Sequence, residues 1–419
     1  MDQHFDVVVV GAGAAGLLCA GTAARRGAKV LLLERNAKAG RKVMITGKGR
    51  CNVTNFCDAA QVIQNTKRNG KFLYSALCAF SPRDTMELIE SLGVPLKVER
   101  GNRVFPVSDR AADIVDALAA FAGGSGVKTR FQARAKALDI RDGRLRGVIL
   151  EDGDRLSASK VIVATGGMSY PGTGSSGDGY RLAKQAGHTI VPVQPSLIPV
   201  VTKENYCRDM MGLSLKNVTV TLTQEKKGKE KVVFQELGEM LFTHFGVSGP
   251  LILSASSHMD AGKLEEYRLY IDLKPGLTLE QLDSRLLRDF SENLNRDFAN
   301  SLSHLLPAKL IPVAVSLSGI GRGVKVHQVT REQRRRFAQL LKRFPLTPAA
   351  LRPVEEAIIT SGGVSVKEVN PKTMQSKLLE GLYFAGEVLD VDAYTGGFNL
   401  QIAFSTGVLA GNACMDCAD

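Results

Sequence analysis

Residues 5–52, FDVVVVGAGAAGLLCAGTAARRGAKVLLLERNAKAGRKVMITGKGRCN, constrain the fold more than any other part of the chain. The apolar run 5–10 reads as a parallel strand buried on both faces. Gly11, Gly13 and Gly16 follow, with Ala14 and Ala15 between them at the start of a helix over about 14–26. Gly11 permits a tight turn, Gly13 lets backbone approach a pyrophosphate, and Gly16 lets the helix pack close to the strand. The positive end of the helix then points at the phosphates. A second apolar strand, 29–33, ends in Glu34. That places an acid about 20 residues beyond the glycines, where a ribose hydroxyl needs an acceptor. An ordinary glycine-rich α/β turn is the plainer alternative. It leaves an acid closing an apolar strand without a reason.

The segment after Glu34 is basic and glycine-rich. It lacks the GxxxxGK[ST] spacing of a phosphate-binding loop and reads instead as coil wrapping an extended cofactor. Arg35, Arg41, Lys42, Gly49, Arg50 and Asn52 are its expected contacts. Further on, 97–106 reads as a short hairpin, and 135–141 and 145–151 as strands joined by Asp142-Gly143. Ala135, at the head of that pair, is counted among the cofactor contacts. An apolar strand over 161–164 runs into Thr165, Gly166 and Gly167, a second approach of backbone to the same ligand. The loop SYPGTGSSGDGY after it is expected to be shaped by that ligand. Near the C-terminus, a strand over 382–385 ends in Gly386 and Glu387. Gly397, Phe398, Asn399 and Gln401 then open a helix suited to an anionic or carbonyl edge.

Between these parts the style changes. Residues 192–275 alternate as antiparallel strands with one wet face, and 278–345 read as helices with capping-box starts at Thr278 and Thr330. His244 sits beside a Gly-Ser-Gly turn in this region. A lone histidine is more often a packed structural residue than a catalyst, but the turn raises the odds of function.

Seven scattered cysteines suit reduced thiols. Cys414 and Cys417 lack a second ligand pair nearby, so no metal is expected, and a frayed tail is the plainer reading. No apolar run reaches the roughly 18 residues of a membrane span, and the N-terminus lacks a basic leader, which points to the cytoplasm. The net charge of +12 concentrates at residues 25–50 and 322–343. Such excess suits a polyanionic partner; a solvated helix face is the alternative for the second cluster.

The motifs GAGAAG with Glu34, ATGG at 164–167, GKGRCNVTN, THFGVSGP and FAGEVLDVDAYTGGFNLQ together resemble the BaiN/RdsA-type FAD-dependent oxidoreductases, over nearly the whole chain. The resemblance implies an α/β fold: a Rossmann-like FAD-binding domain (1–191 and 352–419) interrupted by an inserted antiparallel β-barrel domain (192–275 and 310–329) and a small helical domain (276–309 and 330–351). It implies FAD, and reduction of a uridine in 23S ribosomal RNA to dihydrouridine. A reductase of small unsaturated molecules, steroid or enoyl, is the alternative, and a non-catalytic flavin-binding RNA partner the second. Cys51 is the first candidate acid, weighed equally against a buried small hydrophobe, and His244 the second. If the thiol donates the proton, Cys51→Ala abolishes turnover while flavin stays bound. A single GxGxxG set between an apolar strand and a helix leaves NAD(P)H as a transient electron donor or another donor in its place.

Overall fold

The structure, a computed structural model describing residues 4–292 and 294–416, divides into two compact units. The first holds residues up to Ser196 and from Ala357 onward; the second is Leu197–Glu356.

In the first unit Phe5–Val10 and Val30–Leu33 pair in parallel, Val7 opposite Val30. The five parallel strands run in the order Lys128–Arg130, Val30–Leu33, Phe5–Val10, Arg155–Val163, Leu382–Phe384. Arg155–Val163 is long enough to serve two partners on the edge opposite Phe5–Val10. Its first half pairs with the antiparallel hairpin Ala135–Arg141/Arg144–Leu150, and its second half with Leu382–Phe384. Asp142 and Gly143 both have positive φ (52° and 70°), the turn geometry that matches strand twist in a two-residue hairpin. Gly11, Gly166 and Gly386 each lie beyond the carboxyl end of one of these strands, the edge where open α/β sheets bind ligands.

The helix Phe398–Ala413 has 13 of its 16 residues buried, so it is a core helix rather than a surface one. It lies against the helix Ala14–Arg25 through small residues. A Cβ on Gly407 would fall 2.5 Å from the Ala15 carbonyl oxygen, and one on Gly411 2.6 Å from that of Cys19. Cys414, at the end of this helix, is fully buried, so the chain is packed rather than frayed there; Cys417 lies outside the described residues.

The second unit is built on one seven-stranded antiparallel path: Phe344–Leu346, Tyr267–Asp272, Ser214–Lys226, Lys229–Thr243, Gly246–Ser248, Val200–Thr202, Pro348–Leu351. Its helices share one core with these strands, as Leu282, Leu286, Phe290, Phe337 and Leu341 pack with Val220, Leu269 and Phe344. Two local readings differ. Residues 310–329, grouped with the strands, carry the helix Ile311–Ser318, and 344–351, grouped with the helices, supply two strands of the sheet. Short segments have too little periodicity to separate a buried helix turn from a buried strand.

Candidate functional site in the first unit

The turn after the first strand has little freedom. Gly11 has φ +106° and its N–H donates to the Leu33 carbonyl at 2.8 Å; a Cβ there would meet the Ala164 oxygen at 2.6 Å. A Cβ on Gly16 would lie 1.8 Å from the Gly11 oxygen. Gly13 differs: nothing lies within 4 Å of its Cβ position. It is the N-cap of Ala14–Arg25, contributes no capping side chain, and no acid occupies the first turn. The helix therefore presents uncapped N–H groups toward open space, which fits a pyrophosphate.

Glu34 is 7% exposed and ties this turn to the next strand end. Its Oε2 accepts from the Ala12 N–H at 2.9 Å, and its Oε1 from the backbone and side-chain N–H groups of Asn36 at 2.8 and 2.7 Å. Arg41 donates to the Asn36 Oδ1 at 3.0 Å. Arg35 pairs with Asp178 at 3.2 Å, and Arg134 holds both Asp178 oxygens at 2.8 and 2.9 Å. Burial works against the Asp178 charge, but Arg134, Arg35 and Arg181 hold its carboxyl below the ordinary range. Gly177 and Asp178 thus open the helix Asp178–Gln185 and anchor the glycine loop from within the protein. Ala135 is buried, and its carbonyl accepts from Arg181 at 3.0 Å.

A second group forms around Glu387. Lys42 Nζ lies 2.6 Å from its Oε2; Ser169 Oγ and the Thr360 N–H donate to its Oε1 at 3.2 and 2.9 Å. Gly166 and Gly167 line the same place, since a Cβ on Gly167 would fall 3.1 Å from Glu387 Oε1. Gly386 donates its N–H to Thr406 Oγ1 at 2.9 Å and approaches Ala15, 2.9 Å from its Cβ position. Thr165 is half-buried, and its hydroxyl oxygen is buried without a partner. The glycine clusters distant in sequence therefore meet around the start of one helix.

A third group closes the coil. Gly397, φ +99°, would drive a Cβ to 2.3 Å from the Thr54 carbonyl. With the Asn52 amide oriented to satisfy both ends, it donates to the Thr54 and Val104 carbonyls at 3.0 and 3.2 Å and accepts from the Gly397 N–H at 3.0 Å. Asn399 fastens the preceding loop, exchanging hydrogen bonds with the backbone of Ala393 at 2.9 and 2.8 Å. Phe398 is buried, and Gln401 is fully buried with its amide committed to Thr54, Thr85, Phe80 and Ser405. Gln401 serves the site as a tie between segments. Arg50 packs over Phe105 and pairs with Glu99 and Asp109, which brace Gly49 and the coil. Cys51 has φ +59° and no exposure; burial pushes its thiol up to about 12, although Thr46 opposes the shift. His244 lies in the second unit, exposed, with its ring edge-on to Phe245.

The described cysteines differ in access, which gives a direct check. Cys78 is exposed, Cys57 is half-buried and pushed up to about 11 by burial and by Asp58, and Cys19, Cys51, Cys207 and Cys414 are buried. Brief iodoacetamide treatment of the native protein should label Cys78 first and leave Cys51 unlabelled, read by peptide mass spectrometry. Rapid labelling of Cys51 would show that the coil opens.

The structure also redistributes the charge. Of the second basic cluster, Lys325, Arg334, Arg336, Lys342 and Arg343 pair with Asp297, Asp283, Glu332, Asp272 and Glu230. The field left for a polyanion there is smaller than the residue count suggests. Among the described residues, no group of three or more His, Cys, Asp or Glu is placed to hold a metal ion, and no helix is long and apolar enough to cross a membrane. Asn36, Ser169 and Thr360 had no motif to mark them, because each acts through a partner more than 100 residues away or through one carboxylate oxygen, and Arg134 had none because Asp178, whose two oxygens it holds, lies 44 positions on.

A family model described as the HI0933-like protein Rossmann domain matches residues 5–413. A 3-dehydro-bile acid delta(4,6)-reductase of Clostridium scindens is 33% identical over 417 residues, 97% of this chain and 98% of the relative. A ribosomal RNA dihydrouridine synthase of Escherichia coli is 31% identical over 405 residues, 96% of each chain. Among solved structures, a 3-ketosteroid delta1-dehydrogenase from Sterolibacterium denitrificans shares the fold, with a TM-score of 0.52 at 13% identity over 98% of this chain and 99% of that one.

Proposed function

The chain belongs to the HI0933-like Rossmann family, and on that premise we propose that it is an FAD-dependent reductase that converts a uridine of 23S ribosomal RNA to dihydrouridine. The residues present suit FAD. Glu34 would accept from a ribose hydroxyl, the uncapped helix at Gly13 would hold the pyrophosphate, and the Lys42–Glu387 and Asn52–Gly397 groups would hold the more distant end. Bound and reduced, FAD supplies a hydride. The protein's own work is to position that cofactor, exclude water through its buried ties, and deliver a proton. NAD(P)H docking transiently is the proposed source of electrons, since only one GxGxxG of the chain, GAGAAG, directly joins a strand to a helix.

The net charge of +12 carries the choice of substrate. RNA is held largely through phosphates, whereas a small neutral substrate gives no reason for such an excess. The target base must leave its stack to meet a flavin, and folded RNA allows this most readily at single-stranded or bulged positions. The second reading, reduction of a small conjugated dienone, draws on the bile-acid relative. The two separate by salt: turnover of RNA falls steeply with ionic strength, and turnover of a steroid does not. A third reading, a non-catalytic flavin-binding RNA partner, predicts binding without loss of a uracil double bond.

The direct test is the dihydrouridine content of large-subunit ribosomal RNA with and without the gene. One dihydrouridine present in the wild type and absent from the deletion strain is expected, restored by the gene in trans. Unchanged content would end the RNA reading.

A further inference from the structure

Two segments far apart in sequence are locked edge to edge in the first unit. The Tyr394 N–H donates to the Asn65 carbonyl at 3.0 Å, Thr66 bridges Ala393, and the Lys67 N–H donates to the Asp392 carbonyl at 2.8 Å. Asn69 adds bonds to the Asp390 carbonyl and Oδ2 at 2.6 and 3.1 Å, and Arg68 pairs with Asp390 at 3.4 Å. The locked stretch leads within a few residues to Gly396 and Gly397, where Asn55 and Asn52 fasten the start of the C-terminal helix. Residues 65–69 are thereby fixed to the same loop that closes the candidate cofactor site.

We propose that Lys67 is the proton donor of this reductase, its backbone held in place by the 390–394 loop and its ammonium uncommitted near the buried carboxyl of Asp392. Its ammonium makes no hydrogen bond or ion pair with any described residue, and its side chain is half-buried, so it is both uncommitted and reachable. Asp392 is 2% exposed, with one oxygen taking a hydrogen bond from Ser361 (3.0 Å) and the other from Ser196 (3.2 Å). The charged groups facing Lys67 are Asp392 and Arg68, with Asp390 behind Arg68; Tyr180 faces Asp390 and Glu387 from the neighbouring helix. Burial, with Arg68 assisting and Asp392 opposing, lowers the Lys67 ammonium to about 8, the range in which an amine can give up a proton near neutral pH. Burial also holds the Asp392 carboxyl above its usual range, against Ser361, Lys67, Arg68 and Ser196. By contrast the Cys51 thiol is sealed and held near 12.

The step balances simply. Reduction of a carbon–carbon double bond conjugated to a carbonyl adds a hydride at the far carbon and a proton at the near one. The hydride and its two electrons come from the reduced flavin, and the proton from the Lys67 ammonium. The amine left behind regains a proton from solvent. The chemistry is the same for a uracil ring and for a dienone, so the inference rests on the reductase reading but not on which of the two is the substrate.

Two measurements test it. Competitive acetylation of the intact protein across pH, read on the Lys67 peptide by mass spectrometry, should give a midpoint near 8, well below the roughly 10.4 of exposed lysines. An ordinary midpoint overturns the proposal without touching the reductase reading. In anaerobic stopped flow, the reduced protein is mixed with unmodified large-subunit ribosomal RNA or with a 3-oxo-4,6-diene steroid. Lys67→Met and Lys67→Arg should each slow flavin reoxidation by about 10²-fold while flavin content and visible spectrum stay unchanged. Arg keeps the positive charge but does not release its proton, so it separates proton donation from charge and from folding. Wild-type reoxidation should also fall tenfold per unit above about pH 8, as the ammonium is lost. Wild-type rates in Lys67→Arg overturn the proposal. If neither acceptor reoxidises the wild-type flavin, the reductase reading fails, and the acetylation midpoint alone decides the state of Lys67.

Discussion

Gly13→Val is expected to fold normally and to lose FAD. Gly13 has extended backbone angles (φ −85°, ψ −166°) that any residue can adopt, and no atom lies within 4 Å of its Cβ position. The apoprotein should therefore change in stability by no more than about 0.5 kcal/mol, as for substitutions that touch nothing. The valine methyls would stand in front of the uncapped N–H groups at the helix start and exclude a phosphate from them. Flavin affinity should fall at least ~100-fold, the scale of losing several charge-assisted hydrogen bonds at once. Flavin absorbance per mole of purified protein, with circular dichroism as the check on folding, reads both effects. Gly16→Ala is the contrasting variant. Its methyl would lie 1.8 Å from the Gly11 oxygen, backbone against backbone, so the expected result is insoluble protein. If Gly13→Val keeps its flavin, the pyrophosphate does not sit at this turn.

Gln401→Leu is expected to destabilise the first unit by roughly 2–4 kcal/mol, since each buried polar group left without a partner costs about 1–3 kcal/mol. The Gln401 oxygen accepts from Thr54 and Thr85 hydroxyls at 2.6 and 2.8 Å, and its nitrogen donates to the Phe80 carbonyl and Ser405 Oγ at 3.2 and 2.9 Å. Leucine fills the volume but strands the Thr54 hydroxyl in the core and leaves that of Thr85 with only the Ser81 carbonyl at 3.3 Å. The Phe80 carbonyl still receives Ser405 Oγ at 2.6 Å, which limits the loss. Because Thr54 also abuts Gly397, flavin should dissociate faster as well. Urea unfolding followed by circular dichroism measures the first effect and flavin release the second. A change below about 0.5 kcal/mol would show that the ties are replaced by water.

Local chemistry was readable where one residue type has one physical reason. Gly11 and Gly16 are forced by backbone contacts within a few residues or across one strand, and Asp142-Gly143 by the twist of a hairpin. The capping boxes at Thr278 and Thr330 form as their spacing requires, because both partners sit within one helical turn. Lys67 was not readable. Its environment comes from Asp392, more than 300 residues away, and no pattern around it differs from any exposed lysine. The second basic cluster misleads in part for the same reason: Arg334 and Asp283 pair across 51 positions, so some of its charge is met by acids of the protein itself.

The sequence by itself determined the strand, glycine turn, helix and closing acid of residues 5–34, because steric limits on backbone and helix polarity act over one or two turns of chain. Only the tertiary structure decided that the clusters at 164–167 and 386–387 meet that turn, that 396–397 meets the coil at 52–55, and that Cys51 is sealed while Lys67 is half-buried. Burial and electrostatic environment are set by every neighbour at once, and those neighbours arrive from opposite ends of the chain.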